Sequence, residues 1–172
     1  PEILAAPVES RGHLCVYLRK FAPGSLLEAL CRSGRRARVY GLGEQPSRGA
    51  LEFRPVSESG FLEDLASCDA LVTTAGNQLV GEALYLRKPV FAMPESGNHE
   101  QYINAWFLRQ MGAGDWAPLE AVRADALGRF LERLDDFRAR IRPERQNGNP
   151  AALRVIRRLL DGGRAGAGEY SE

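Results

Sequence analysis

The sequence has little lysine and lacks any long apolar run. Lysine occurs only as Lys20 and Lys88, so arginine supplies almost all of the 23 positive charges. The 22 acidic residues leave a formal net charge of +1, which argues against a protein that binds nucleic acid through bulk charge. No segment is apolar over the length needed to cross a bilayer, and no signal peptide precedes the first predicted strand. We therefore expect a cytoplasmic protein.

The three cysteines show no metal-binding pattern. Cys15, Cys31 and Cys68 lack C-x-x-C spacing, and their odd number argues against a complete disulfide framework. Because each lies in an apolar segment, we interpret them as buried free thiols in a reducing compartment. The rest of the sequence contains no cluster with the spacing of metal ligands, so we expect neither a metal site nor a bound cofactor.

Short apolar segments alternate with segments of helical spacing along most of the chain. This alternation predicts an α/β fold, a Rossmann-like doubly wound parallel sheet in a three-layer α/β/α sandwich. The predicted strands are residues 14–21, 37–42, 51–56, 69–75 and 89–93, with a short one near 115–117. The predicted helices are residues 25–33, 60–68, 77–87, 99–111, 123–140 and 150–160.

The chain is predicted to form one domain, residues 14–161, between two flanking segments. Residues 1–13 are interpreted as a linker and residues 162–172 as a flexible Gly/Ala-rich tail. Ser25 is the predicted N-cap of the first helix, and Gly34 ends that helix. In a doubly wound sheet, ligands bind at the carboxyl ends of the strands, near the change in strand order. The candidate loops are those after residues 20, 42, 56, 75 and 93.

The turn after the fourth predicted strand has the composition of an anion-binding site. Thr74, Gly76, Asn77 and Gln78 bring small and polar residues to the point where a strand runs into a helix. The start of a helix exposes unpaired N–H groups with a partial positive charge, and glycine lets a phosphate approach the backbone closely. Two structural alternatives stay open: Gly76 makes only a tight turn, and Asn77 only caps the helix.

Glu82 extends this candidate site along the same predicted helix. It lies six residues after Gly76, roughly 9 Å further along at the rise of an α-helix, about the reach from a diphosphate to the far edge of a ribose. A carboxylate accepts well from two adjacent hydroxyls, and Gln78 shares the helix face. Gly81 is unfavourable in a helix interior, which indicates room for a ligand or for close packing. The alternative is that Glu82 is a solvated surface residue.

A second polar loop follows the fifth predicted strand. His99, Glu100, Gln101 and Asn104 place polar groups at the start of the next helix, and Glu100 and Gln101 have the acceptors and donors to bind sugar hydroxyls. Asn98 and Gln101 also have the spacing of a capping box, so Gln101 only caps its helix in the alternative interpretation. In that alternative His99 is a surface residue.

The two loops together resemble the C-terminal domain of glycosyltransferases built from two Rossmann domains, the GT-B type. The resemblance is greatest to family-28-like enzymes, which include the N-acetylglucosaminyltransferase that makes lipid II, and to a group of prokaryotic relatives. It covers about residues 14–114 and is specific from 56 to 105, where order, spacing and residue type agree. The matching positions are 61–65, 74–76, 82–86, 88–89, 94, 100–101 and 104–105.

The resemblance implies that residues 14–161 bind a nucleotide-sugar donor, usually a UDP-sugar. The implied ligands are Thr74, Gly76, Asn77 and Gln78 for the diphosphate, Glu82 for the ribose, Leu62 with Phe61 for the base, and His99, Glu100, Gln101 and Asn104 for the transferred sugar.

The resemblance also implies parts that this chain does not contain. Family members have an N-terminal domain that binds the acceptor and holds the catalytic base, so we assign no catalytic residue and expect the isolated chain to be inactive. The helix that starts at Gly76 would stabilise the leaving diphosphate. Several relatives carry a Gly-rich loop after the first strand. Residues 19–24 stand there in this chain, and Arg19 or Lys20 would supply the charge.

Two other functions remain compatible with these residues. A sugar-nucleotide 2-epimerase uses a similar two-domain fold, and a non-enzymatic nucleotide-binding module needs only the site. A dinucleotide-dependent oxidoreductase is disfavoured, because no G-x-G-x-x-G opens the first helix. The Arg-rich helices near the end of the chain predict either weak contact with the inner face of the cell membrane or a solvated basic face. Their arginines are Arg133, Arg138, Arg140, Arg142, Arg154, Arg157 and Arg158.

Overall fold

The computed structural model describes residues 8–19, 21–142 and 149–166, with only the backbone for 162–166. The strands of its sheet are β1 (His13–Tyr17), β2 (Arg36–Tyr40), β3 (Leu51–Phe53), β4 (Ala70–Thr73), β5 (Val90–Ala92) and β6 (Gly114–Trp116). All are parallel, in the order β3-β2-β1-β4-β5-β6. The order changes direction between β1 and β4, which confirms the predicted doubly wound, Rossmann-like sheet.

Helices cover both faces of the sheet. They are α1 (Gly24–Arg32), α2 (Glu58–Ser67), α3 (Asn77–Tyr85), α4 (His99–Gln110), α5 (Ala124–Leu131), α6 (Leu134–Arg140) and α7 (Asn149–Gly166), with a 3₁₀ helix at Leu119–Ala121. The buried side chains of α1, α5 and α6 form one core with the sheet, and those of α2, α3 and α4 form a second core on its other face. The predicted three-layer α/β/α sandwich is therefore confirmed.

Gly41 marks the point where β1 and β2 stop pairing. Its φ of 87° lies in the left-handed region, and a Cβ at this position would lie 1.6 Å from the carbonyl oxygen of Leu18. Only glycine fits this close approach. Just before this turn, the N–H of Leu18 donates to the carbonyl of Tyr40 at 3.1 Å. β1 therefore ends at Tyr17, before the predicted strand end at residue 21.

Several helix boundaries differ from the prediction. α1 begins after Pro23, whose carbonyl accepts from the N–H of Leu26 at 3.0 Å, so the predicted cap Ser25 lies inside the helix. The predicted helix 123–140 is divided into α5 and α6, because the backbone leaves helical geometry at Arg133 and turns Phe137 towards the core. α7 continues into the predicted tail, and residues 167–172 lie outside the described residues.

The apolar stripe on α4 faces away from the sheet. Its large side chains are 46–56% exposed, whereas the helix packs on the sheet through smaller or polar residues. The contact between helix and sheet is therefore close, and helical spacing of large apolar residues identified the helix but not its buried face. The exposed residues are Ile103, Trp106, Phe107 and Met111, and the buried ones are Gln101, Ala105 and Leu108.

The segment before β1 is fastened to the domain. The N–H groups of Glu9 and Arg11 donate to Ala66 and Ser67 at the end of α2, at 3.2 and 2.9 Å. The buried Lys88 ammonium donates to the carbonyl of Glu9 at 2.6 Å. Residues 9–11, predicted as part of a linker, thus lie along α2, and residues 1–7 are outside the described residues.

Some C-terminal arginines already contact protein groups. Arg138 pairs with Asp135 and donates to the carbonyl of Asp69, and the Arg133 guanidinium lies 4.7 Å from the centre of the Phe137 ring. The described side chains of α7 are exposed, so contact with a membrane surface stays a prediction. Among the helices that the structure describes, none has the length and apolar character that a membrane span requires.

Candidate functional site

A cavity of about 1040 Å³ opens at the carboxyl ends of β1 and β4, where the strand order changes direction. Four segments line it: the end of β1, the β3–α2 connection with α2, the start of α3, and the start of α4. This is the position at which doubly wound folds bind their ligands. The lining residues are Tyr17, Arg19, Val56, Glu58, Phe61, Leu62, Gly76, Asn77, Gln78, Leu79, Glu82 and Glu100.

The turn between β4 and α3 places the start of α3 at the cavity. Ala75 adopts a φ of 65°, a left-handed conformation that is uncommon for a residue with a side chain, and Gly76 is the N-cap with an ordinary φ of −61°. The special backbone angle of this turn therefore belongs to Ala75. A Cβ on Gly76 would meet no atom within 4 Å, so the space over it is open. Asn77 is the first helical residue rather than the cap.

Asn104 holds this turn from the neighbouring helix. Its Nδ2 donates to the carbonyl oxygen of Ala75 at 2.9 Å, which joins α4 to the residue in the left-handed conformation. Thr74 is 3% exposed and lies under the turn rather than in the cavity lining. In this arrangement Asn104 holds the candidate anion-binding turn and Thr74 is buried within it, and their predicted direct contacts with the donor stay predictions.

Glu82 and Gln78 form a pair along the cavity side of α3. The Gln78 Nε2 donates to Glu82 Oε1 at 2.9 Å, and both residues line the cavity. The shared helix face predicted from their spacing is present. A carboxylate has about four acceptor sites, so the Glu82 carboxylate can accept from further donors besides Gln78.

Gln101 binds the loop before α4. It is 3% exposed, its Oε1 accepts from the N–H of Glu95 at 2.8 Å, and its Nε2 donates to the Glu95 carboxylate at 3.2 Å. The N–H of Gln101 donates in turn to Asn98 Oδ1 at 3.2 Å, so Asn98 caps α4. Half of the capping box is thus present, and the Gln101 side chain bonds to Glu95 instead of Asn98. The exposed Glu100 reaches the cavity, whereas His99 is exposed outside its lining.

An aromatic wall closes the cavity on the side of α2. The Phe61 ring meets the rings of Tyr17 and Tyr40 edge to face, with centroids 5.4 and 5.1 Å away. Leu62 and Val56 extend this apolar surface. Such a wall suits the face of a nucleobase. Tyr17 and Val56 were not identified from the sequence. Val56 ends the predicted strand 51–56, but Tyr17 lies inside the predicted strand 14–21 and reaches the cavity because β1 ends there.

The charges around the cavity are unevenly placed. Arg19, at the end of β1, is the cationic member of the lining, and Glu58, Glu82 and Glu100 are its acidic members. Arg19 stands where several relatives have a Gly-rich loop, and Lys20 lies outside the described residues. A cation and a helix N-terminus on the same cavity favour an anion, while the carboxylates favour hydroxyl groups.

The structure brings together most of the predicted site residues. Six of them line the cavity, while the other four lie next to it in the turn and at the start of α4. Within the described residues, no group of three or more His, Cys, Asp or Glu side chains is arranged to hold a metal ion. The six lining residues are Leu62, Gly76, Asn77, Gln78, Glu82 and Glu100, and the other four are Thr74, His99, Gln101 and Asn104.

Comparison with known proteins agrees with this fold. A family model described as glycosyl transferase family 1 matches residues 1–135. A search of curated proteins found no match to the sequence.

Solved structures of glycosyltransferases share the fold. Spinosyn forosaminyltransferase SpnP is 18% identical, with a TM-score of 0.62 over 91% of this chain and 46% of its own length. The glycosyltransferase SnogD from Streptomyces nogalater is 21% identical, with a TM-score of 0.58 over 80% of this chain and 40% of its own. Spinosyn rhamnosyltransferase SpnG is 18% identical, with a TM-score of 0.59 over 82% and 42%. The chain therefore spans less than half the length of each.

Proposed function

This chain belongs to glycosyl transferase family 1, and we propose that its cavity binds the nucleotide part of a UDP-sugar donor. The glycosyl group would pass to an acceptor held by a further, N-terminal domain. The narrower resemblance to family-28-like enzymes and to the transferase that makes lipid II is part of the same proposal. It goes beyond family membership by naming the donor class and a role for each side of the cavity.

One observation carries the proposal: the cavity joins a helix N-terminus, a carboxylate and an aromatic wall in one space. The first turn of α3 has N–H groups without partners in the helix, and it lies beside Arg19 in the lining. Glu82 follows on the same helix, roughly 9 Å along it. Phe61 and Leu62 complete the lining on the side of α2. The helix N-terminus suits a diphosphate, the carboxylate suits a ribose, and the aromatic wall suits a base.

The start of α3 would also contribute to the reaction. When the bond between the sugar and the diphosphate breaks, negative charge grows on the leaving phosphate. The N–H groups of Asn77 and Gln78 and the partial positive charge of the helix would stabilise that charge. Glu100, on the α4 side, would bind hydroxyls of the transferred sugar. The base that deprotonates the acceptor would come from the N-terminal domain.

Calorimetry on this chain with UDP, UDP-sugars and NAD tests the proposed ligand. We expect UDP and UDP-sugars to bind and NAD to show no comparable affinity, because the cavity holds the determinants of one nucleoside diphosphate. Binding of NAD without binding of UDP would refute the proposal.

Replacement of Glu82 tests the assignment of the ribose site. Glu82→Ala removes the carboxylate that would bind two hydroxyls, and we expect UDP affinity to fall about tenfold, near 1.4 kcal/mol. Glu132→Ala is the matched control, since Glu132 is exposed at the end of α5 and outside the cavity lining. An unchanged affinity in a folded Glu82→Ala variant would remove Glu82 from the site.

A further inference from the structure

Asp64 is a buried carboxylate beneath the aromatic wall. Its side chain is only 3% exposed, although it belongs to α2 within the stretch 61–65 that carries the family resemblance. Asp64 does not line the cavity, and the ligand roles described above leave it without a function. A buried charge is unfavourable unless donors surround it, so its partners indicate what the residue does.

Three donors converge on this carboxylate, two from β2 and one from the residue after β3. Arg38 and Tyr40, both on β2, donate to its two oxygens, and the Arg54 Nη1, just after β3, donates at 3.1 Å. Glu52 pairs with Arg54 at 3.1 Å, so the two cations are matched by two carboxylates. The network therefore ties β2, the end of β3 and α2 to one another through a single side chain.

These connections lead directly to the wall of the cavity. Tyr40 donates its hydroxyl to Asp64 and packs its ring edge to face against Phe61. Burial, together with the hydrogen bond to Asp64, raises the pKa of the Tyr40 phenol, so it remains an O–H donor at neutral pH. Arg54 opens the β3–α2 connection, which supplies Val56 to the cavity lining. Both ends of the wall are thus attached to the Asp64 carboxylate.

We propose that Asp64 is a positioning residue for the aromatic wall. It fixes the part of the wall formed by Val56, Phe61 and Leu62, which would contact the base, against the rest of the cavity. This inference rests on the proposed function, because it assumes that a nucleoside diphosphate occupies the cavity. Buried ion pairs often add little to stability compared with apolar packing, whereas in some proteins they specify one geometry of the groups they join. In this proposal Asp64 acts on recognition of the base and leaves the turn between β4 and α3 unaffected.

The test compares a ligand that contains a base with one that lacks it. Calorimetry on the full chain first identifies the nucleoside diphosphate that binds most tightly among UDP, dTDP, GDP and ADP, and then measures inorganic pyrophosphate. For Asp64→Asn we expect affinity for that nucleoside diphosphate to fall about tenfold, with affinity for pyrophosphate unchanged within twofold.

Asp69→Asn is the matched control. Asp69 is also buried and also pairs with an arginine, Arg35, but it precedes β4 at the amino ends of the strands, whereas the cavity lies at their carboxyl ends. We expect this variant to lose stability without changing the ratio of the two affinities. Tyr40→Phe keeps the ring on Phe61 and removes only the hydroxyl, so it is expected to fold and to show a weaker selective loss, which decides the matter if Asp64→Asn does not fold.

Each outcome separates this inference from the proposed function. If the unmodified chain binds none of the four nucleoside diphosphates, the proposed function fails and the inference fails with it. If it binds one of them, an unchanged affinity in folded Asp64→Asn overturns the inference alone. Equal losses for nucleotide and pyrophosphate, or a selective loss in Asp69→Asn, overturn it as well.

Discussion

Two of the helices that border the cavity, α3 and α4, use their polar residues in different ways. On α3, the predicted ligands Gly76, Gln78 and Glu82 all line the cavity. On α4, only Glu100 does, while Gln101 and Asn104 bond to other parts of the protein. The first helix directs its polar groups to the cavity, and the second uses most of them to hold loops in place.

This difference shows that a polar residue at a strand end has two possible functions in a site. It contacts the ligand, or it satisfies backbone groups of the loop that does. Both functions are compatible with the same residue type at the same position, so a sequence motif alone does not distinguish a ligand contact from a bond to the loop. Burial and partners do: Gln101 is 3% exposed with both amide atoms bonded to Glu95, whereas Glu82 is only partly buried and faces the cavity.

Gln101→Ala should give the largest effect on stability. The change removes both bonds to Glu95 and leaves the N–H and the carboxylate of that residue without their partner. We expect the free energy of unfolding to fall by about 2 kcal/mol, because an unpaired, partly buried polar group loses its hydrogen bond without regaining water. Chemical denaturation monitored by circular dichroism measures this loss.

Glu100→Ala is the control for Gln101→Ala, one residue earlier on the same helix. Glu100 is exposed, so we expect its loss to change stability by less than about 0.5 kcal/mol and to weaken only the binding of a UDP-sugar relative to UDP. If Gln101→Ala keeps full stability but loses sugar-dependent affinity, Gln101 is a direct ligand and the contrast between α3 and α4 disappears.

Asn104→Ala should have the next largest effect. It removes the bond to the carbonyl of Ala75, and we expect a loss near 1 kcal/mol in stability together with weaker binding of pyrophosphate. The left-handed φ of Ala75 makes the interpretation testable by a double-mutant cycle. Ala75→Gly adopts that conformation without a steric penalty, so it should restore pyrophosphate affinity in the Asn104→Ala background. Strictly additive effects of the two changes would contradict the role of Asn104 in holding the turn.

Most of the fold could be predicted from the sequence, because parallel strands buried on both faces are short apolar runs. The run at residues 69–75 and the helical spacing after Gly76 identified β4 and α3 with only small errors at their ends. The buried face of α4 could not be predicted in this way. It packs through Ala105, Leu108 and Gln101, while the larger Trp106 and Phe107 point outward. Side-chain size therefore does not identify the buried face of a helix that packs on the sheet through small residues.

The candidate site was partly predictable for a related physical reason. Gly76 and Glu82 were identified because helix geometry fixes their separation from local sequence alone. The network of Asp64 was not identified, because its donors come from β2 and from the residue after β3, 10–26 positions away in the chain. Interactions of this kind depend on the tertiary arrangement of three elements, which spacing within one segment does not reveal.

Two glycine substitutions with small expected effects on stability separate ligand contact from packing on α3. A Cβ at either Gly76 or Gly81 meets no atom within 4 Å, and neither residue has a positive φ, so alanine fits both positions. Gly81→Ala should raise stability by roughly 0.5–1 kcal/mol through helix propensity and leave UDP affinity unchanged. Gly76→Ala should lower stability by about 1 kcal/mol or less, because alanine is a poorer N-cap than glycine. It should also weaken binding of UDP and pyrophosphate, because its new methyl group occupies the open space where we propose the diphosphate lies. Thermal unfolding and calorimetry on the two variants measure both properties. If Gly76→Ala binds as tightly as Gly81→Ala, the diphosphate does not approach this backbone, and the assignment of α3 as the helix that contacts the ligand is wrong.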